Sequence, residues 1–251
     1  MMTRRKFIAL GALALPTALG VDAAVIEPNA LRIAKLNLGT ESGACFVQFT
    51  DFHFKGDTRF AAHVVSRINE LAPDFACFTG DLVEDKRFAA EALDFITRIQ
   101  TPVYGVPGNH DYWCGADFAD YQKAFAATGG EWLVDRSVLV EKFGLESVGM
   151  AVNGIHAFQP PLAARRLLLM HYPGPADTLE IPFDLILAGH SHGGQVRLPF
   201  YGAPILPWGV GRYDLGYFDS KFGPLYVNPG IGTYRLPVRF NCRPELTVVT
   251  M

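Results

Sequence analysis

Between residues 45 and 111 the chain repeats one pattern three times: a short apolar run, then at once a cluster of polar side chains able to bind metal. Cys45-Phe46-Val47-Gln48-Phe49-Thr50 leads into Asp51-Phe52-His53, Phe75-Ala76-Cys77-Phe78-Thr79 into Gly80-Asp81, and Val103-Tyr104-Gly105-Val106 into Gly108-Asn109-His110-Asp111. The stretches between carry apolar residues at helical spacing. Phe60, Val64, Ile68 and Leu71 form one face, capped by Asp57 or Thr58 and stopped by Pro73; Phe88, Ala92, Phe95 and Ile99 form the next, stopped at Pro102. A repeat of about 30 residues is the length of a βαβ unit. Right-handed crossovers then make the three strands parallel and bring their polar ends to one edge of a sheet. Solvated turns do not account for that regularity.

Two further apolar runs end the same way. Arg166-Leu167-Leu168-Leu169-Met170 is followed by His171, and Phe183-Asp184-Leu185-Ile186-Leu187 by Ala188-Gly189-His190-Ser191-His192-Gly193-Gly194-Gln195. Taken alone, His190 and His192 read either as a polar turn facing water or, because one intervening residue in an extended loop turns neighbouring rings apart, as ligands of two different ions. The strand-end residues together are Asp51, His53, Asp81, Asn109, His110, His171, His190 and His192, and they include five of the seven histidines. His63, near the apolar face of a helix, and His156, in a turn, match no ligand pattern. Carboxylate, imidazole and one amide oxygen make a mixed N/O set, suited to Mn, Fe, Zn or Co and too rich in nitrogen for Mg or Ca alone. Eight such residues exceed what one ion takes, whereas two ions sharing a carboxylate can use seven of them.

The rest of the chain reads as follows. Residues 25–44 form a polar linker. A short helix over 116–127 turns Phe118, Tyr121 and Phe125 inward. Residues 137–140 and 146–152 alternate as antiparallel strands that begin a second sheet. From Val196 onward the chain is rich in Gly, Pro and aromatics, and reads as short strands and long loops ending in Leu246-Thr247-Val248-Val249-Thr250. The apolar segment 199–208 is expected to pack in the core, since large exposed apolar patches are uncommon. Arg197, Arg212, Arg235 and Arg239 are expected at the surface.

With 251 residues, 49% of them hydrophobic and 19% charged, the chain suffices for one domain with a full core. A net charge of -3 gives no overall field for a stable nucleic-acid partner. A mean hydropathy of +0.16 leaves room for peripheral contact with a membrane surface. Cys45, Cys77, Cys114 and Cys242 contain no C-x-x-C pair, which excludes the usual structural zinc pattern. Cys114 and Cys242 could pair in an oxidising compartment, but the sequence gives no distance between them. Thr3-Arg4-Arg5-Lys6-Phe7-Ile8 opens an apolar run interrupted by Pro16, with small residues at Val21-Asp22-Ala23 before Ala24. This is the layout of a twin-arginine leader. The expected division is therefore a signal segment over 1–24 and the folded domain over 25–251, exported by the twin-arginine machinery to the periplasm or the outer face of the inner membrane.

The succession D-x-H, G-D, G-N-H-D, a lone His and G-H-x-H resembles, in order and spacing, the calcineurin-like metallophosphoesterase superfamily. The resemblance implies an α/β fold, a four-layer αββα sandwich of two mixed β-sheets flanked by helices. It implies that Asp51, His53 and His192 hold one divalent ion, that Asn109, His171 and His190 hold the other, and that Asp81 bridges the two. His110 corresponds to the family's non-ligand histidine beside the scissile phosphate, with Asp111 orienting it. The implied reaction is hydrolysis of a phosphodiester or pyrophosphate by a hydroxide held between two ions, most simply Mn, with Fe, Zn or Co as alternatives. The glycine-rich segments 193–199 and 229–233 and Arg243-Pro244-Glu245 resemble the bacterial branch of exported phosphodiesterases and UDP-2,3-diacylglucosamine hydrolase-like proteins. A lipid- or nucleotide-linked phosphate ester is the partner that branch implies. Asn228-Pro229 stands where that branch suggests Ser-Arg, removing one expected phosphate contact. Two other readings are an inner-membrane hydrolase of lipid A synthesis, which conflicts with an exported domain, and a catalytically silent metal-binding interaction module.

Overall fold

The computed structural model describes residues 19–39, 43–152 and 160–251. Twelve strands lie among them: β1 Arg32–Asn37, β2 Cys45–Phe49, β3 Phe75–Phe78, β4 Val103–Gly105, β5 Glu131–Trp132, β6 Arg136–Val140, β7 Leu145–Gly149, β8 Arg165–Leu169, β9 Leu185–Ala188, β10 Gly216–Ser220, β11 Gly223–Val227 and β12 Glu245–Thr250. They form two six-stranded mixed sheets, ordered β1-β12-β2-β3-β4-β5 and β10-β11-β9-β8-β7-β6.

Alternation along the strands sorts the core into layers, because successive side chains of a strand face opposite sides. Phe46, Phe75, Cys77, Leu167, Leu169, Leu185 and Leu187 meet between the sheets. Their neighbours Val47, Phe49, Ala76 and Phe78 face outward from the first sheet onto helices α1 Thr58–Leu71, α2 Ala89–Thr97 and α4 Phe118–Ala127, while the short α3 Asn109–Trp113 sits at the sheet's edge. On the far side of the second sheet, Leu168, Met170, Ile186 and Ala188 pack against Ala176, Leu179, Phe183 and Tyr213. A 3-10 turn, Gly174–Asp177, and irregular chain form that outer layer. The result is a two-sheet sandwich with flanking helices.

Local signals explain the elements. Asp57 caps α1, its side chain accepting from the Phe60 N–H, and Ala72 closes the helix in the left-handed conformation just before Pro73. Strands β2, β3 and β4 pair in parallel in consecutive order, with α1 and α2 as the crossovers, so their carboxyl ends share one edge.

The stretch read as a polar linker contains β1. Arg32 and Lys35 give it a polar composition, and it is only half-buried at the sheet's edge. Its ladder partner is β12, more than 200 residues later, which lies between β1 and β2. Of the expected leader, residues 1–18 lie outside the described residues, including Arg4 and Arg5, as does His156. The described remainder at 19–24 is helical, and the Ala23 carbonyl accepts from the Arg239 N–H at 2.9 Å. No helix of the described residues is long and apolar enough to cross a membrane. All four cysteines are free thiols.

Phe75 is 1% exposed and stacks on Phe46 with ring centroids 4.6 Å apart, at the centre of the inter-sheet layer. Phe75→Ala is expected to lower the unfolding free energy by about 3–5 kcal/mol, measured by urea denaturation; a loss below about 1 kcal/mol would show that the layer collapses to fill the space.

Candidate metal centre

The strands deliver side chains to the site through strained backbone. Asp51, His53, Asp81, His190 and His192 all have positive φ, between 44° and 66°, and make up five of the eleven non-glycine residues in that state among those described. Each such residue costs on the order of 1–3 kcal/mol and persists only where its surroundings fix it. Here the loops are tied side by side: the Asp51 N–H donates to the Gly80 carbonyl at 2.8 Å, the His53 N–H to Asp81 at 3.1 Å, and the Gly189 N–H to His171 at 3.1 Å. Glycine is required where loops touch. A Cβ on Gly189 would lie 2.4 Å from Asp51 Oδ2, and one on Gly108 would lie 2.0 Å from Asp81 Oδ1.

All seven side chains expected as ligands converge. In one group, His53 Nε2 and His192 Nε2 lie 3.0 Å apart, and Asp51 Oδ1 is 3.2 Å from the His192 nitrogen and 3.8 Å from that of His53. In the other, His171 Nε2 lies 3.1 Å from Asn109 Oδ1 and 3.2 Å from His190 Nδ1. Asp81 Oδ2 stands between the groups, 3.5 Å from His53 Nε2 and 3.2 Å from His171 Nε2. His190 and His192 thus serve different groups. Apart from Asn109 Oδ1, these atoms fall within the clusters of possible metal ligands Asp51–His53–His192 and Asp81–His171–His190, and a third cluster among the described residues, His53–Asp81–His110, brings in His110.

The donor atoms suit cations. His171 Nδ1 donates to the Thr79 carbonyl at 2.8 Å and His190 Nε2 to the Trp208 carbonyl at 2.7 Å, so in each ring the other nitrogen turns a lone pair inward. His53 Nδ1 faces Glu84 Oε1 at 3.2 Å, a carboxylate that Lys55 also contacts at 3.1 Å. Asp51 Oδ1 is buried and makes no hydrogen bond among the described residues. Its Oδ2 is held by the Thr50 hydroxyl and the His190 N–H. So many carboxylate and imidazole acceptor atoms facing one another call for positive charge, from protons or from cations.

His110 lies beside the first group. Its N–H donates to Asp81 Oδ1 at 2.8 Å, and its ring meets those of His53, Trp113 and Tyr234, each at a centroid distance of 4.9 Å. Burial holds its pKa below the ordinary histidine value. Asp111 does not orient this ring, contrary to expectation. Its Oδ2 accepts from the Asp81 and Gly108 N–H groups, and its Oδ1 from the Leu82 N–H and the Tyr121 hydroxyl. With every lone pair committed to backbone and tyrosine, Asp111 positions the loop that carries Asp81.

Other parts of the site were not legible in the sequence. Glu84, the Trp208 carbonyl and Tyr234 touch ligands or His110 but belong to no motif. Arg239, expected at the surface, is fully buried. Its guanidinium donates to the carbonyls of Pro229, Gly230, Gly232 and Cys242, stapling a loop whose Gly230 and Gly232 press on Asp51 and Phe52. Asn228 is turned into the same loop, accepting from the Gly230 N–H. Arg197 and Arg212 pair with Asp214 and Asp177, and Arg235 lies over Tyr234. The segment 199–208 is not in the core. It forms a tight turn between Leu198 and Gly202, and Phe200, Tyr201, Ile205 and Trp208 are all at least 73% exposed. His63 is exposed on α1.

Comparison with known proteins adds the following. The sequence pattern of the calcineurin-like phosphoesterase family matches residues 46–194. The uncharacterized metallophosphoesterase YkuE of Bacillus subtilis is 30% identical over 100% of this chain and 98% of its own length. The phosphodiesterase YaeI of Escherichia coli is 29% identical over 75% of this chain and 62% of its own. The UDP-2,3-diacylglucosamine pyrophosphatase LpxG of Chlamydia trachomatis is 26% identical over 94% of each.

Charge within the site is balanced by protons when no cation is present. Burial pushes both carboxylates up, but His192, His53 and His171 bring Asp51 well below the ordinary carboxylate range, and His171 and His53 bring Asp81 to about 2. Burial pushes His53 and His171 down, and the facing carboxylates outweigh it, raising each to about 9. His190, lowered by burial and by His171, falls to about 4; His192, lowered by burial against the pull of Asp51, falls to about 3. Because the pKa values of His53 and His171 rise from 6.5 to about 9 on folding, their contribution to metal-free stability is complete below 6.5 and lost as pH rises through 9. A cation needs the same lone pairs. Manganese affinity is therefore expected to strengthen from pH 6.5 to 9, with proton release on binding, read by calorimetry in buffers of different ionisation enthalpy; pH-independent uptake without proton release would contradict it.

Proposed function

The chain belongs to the calcineurin-like phosphoesterase family and is a hydrolase of phosphoesters, and from that premise we propose that it works with two divalent ions on phosphodiester or pyrophosphate bonds. The observation that carries this reading is the place of Asp81, one carboxylate oxygen within 3.5 Å of imidazoles from both groups. Asp51, His53 and His192 would hold one ion, Asn109, His171 and His190 the other, and Asp81 both. Manganese fits the mixed N/O set, with Fe, Zn and Co as alternatives. When bound, such a pair of ions would lower the pKa of a shared water and neutralise charge on the phosphoryl oxygens.

The protein's own groups do the rest. His110 sits at the rim with its backbone fixed on Asp81 and its ring braced by Trp113 and Tyr234. In its protonated form it would hold a phosphoryl oxygen or pass a proton to the leaving oxygen. Asp111 fixes the Asp81 loop and the Trp208 carbonyl fixes the ring of His190, while Glu84 stands 3.2 Å from His53 Nδ1. The twin-arginine layout at Arg4-Arg5 supports action outside the cytoplasm, in the periplasm or at the outer face of the inner membrane.

One observation favours a second substrate within the same chemistry. LpxG, a UDP-2,3-diacylglucosamine pyrophosphatase by name, aligns along nearly all of both chains, and it supports a reading in which an acylated nucleotide sugar is cleaved at its pyrophosphate. Such a substrate places the enzyme where that nucleotide is made. A silent binding module would have no use for His110 beside a complete ligand set.

Bis(4-nitrophenyl) phosphate and a pyrophosphate diester, offered to purified protein with and without manganese, test the proposal. Metal-dependent release is expected, abolished by chelation and restored by added ion; an inert, fully loaded protein would favour the silent module. His110→Asn is expected to keep both ions by elemental analysis while kcat falls by roughly 10²–10⁴-fold. Loss of the ions together with activity would instead make His110 structural.

A further inference from the structure

Beside the metal centre opens a cleft of about 980 Å³ whose wall includes Asn109 together with Tyr112, Trp113, Val152, Tyr172 and Trp208. Among the described residues no charged side chain lines it. It starts at the proposed ligands: the Tyr172 ring stands edge-on to His190 at 4.2 Å, and the Trp113 ring edge-on to His110 at 4.9 Å. Its outer wall is open, with Trp113 69% and Trp208 86% exposed. The loop that ends in Trp208 continues the apolar surface with the exposed Ile205, Tyr201 and Phe200. Ala203 of that loop backs onto Gly194 of the His190–His192 turn, where a glycine Cβ would meet it at 2.4 Å. The exposed apolar residues are thus tied to the mouth of the site.

We infer that this cleft holds the hydrocarbon part of an amphiphilic phosphoester, with the phosphoryl group at the metal centre and the chain lying along Trp113, Tyr172 and Trp208. The inference rests on the phosphoester reading above and names its substrate class. A sugar or nucleobase could stack on the aromatic rings but would leave the apolar loop unused. A compact aryl group would fill the cleft but leave the apolar loop unused. A hydrocarbon chain uses both, because its burial needs area and no direction. Exposed apolar surface of this extent, contiguous with a site, marks a ligand groove or a lipid contact.

The test offers alkyl 4-nitrophenyl phosphodiesters from methyl to decyl, below their aggregation concentrations, to the manganese-loaded full chain. Expected is a rise in kcat/KM of roughly twofold per methylene, about half of what complete burial of each would give. Within Val152→Glu and within Tyr112→Ser, the decyl-to-methyl ratio should collapse towards one. A second arm needs no turnover: 10-bromodecylphosphonate should quench the emission of Trp113 and Trp208 saturably, while buried Trp132 supplies a constant background, and decylphosphonate should not quench. A flat chain-length series in an enzyme that hydrolyses the methyl ester, or no saturable quenching, overturns the inference. Saturable quenching with no turnover of any ester supports the chain-binding cleft and removes the phosphoester reading instead.

Discussion

Everything in this protein answers to one electrostatic constraint: two buried carboxylates and four imidazoles point their electron pairs at one another across 3.0–3.8 Å. Such an arrangement is costly unless positive charge enters it. Protons on His53 and His171 meet the need in the metal-free state, and in the proposed reading divalent ions would take their place on ring nitrogens that the Thr79 and Trp208 carbonyls turn inward. Positive φ at five of the residues, and the absence of a Cβ at Gly108 and Gly189, are consequences of packing so many donors into one place.

Holding that geometry falls to residues that touch no reacting atom. Asp111 gathers the N–H groups of Asp81, Leu82 and Gly108, and so fuses the ends of β3 and β4 into one unit. Arg239 does the same for the loop behind Asp51, using a buried guanidinium against carbonyl oxygens. Both are charged groups spent on backbone, which is affordable only because each hydrogen-bonding position is filled. The candidate metal ligands are therefore held by the loops and not by one another.

On its open side the site changes character. Aromatic side chains replace charged ones, Tyr234 and Trp113 around His110, Tyr172 and Trp208 around His190. A phosphoryl group placed at the centre then has polar partners beneath it and apolar surface beside it.

The sequence by itself determined the strand-and-helix rhythm from β2 to β4 and the polar residues gathered at strand ends, because each depends on local spacing, while the layered sandwich and the choice of seven candidate ligands came from the order of motifs that the chain shares with its family. What it could not determine depends on partners distant in the chain. β1 is polar in composition and becomes a strand only because β12 reaches it. The part of Asp111 followed from the amides that crowd around it, not from its place beside His110. Arg239 and the loop at 199–208 exchanged their expected places, the charge inside and the apolar residues outside. Burial is decided by whether the surrounding carbonyls can satisfy a guanidinium and whether a turn has any surface left to cover it, and only the tertiary structure settles that.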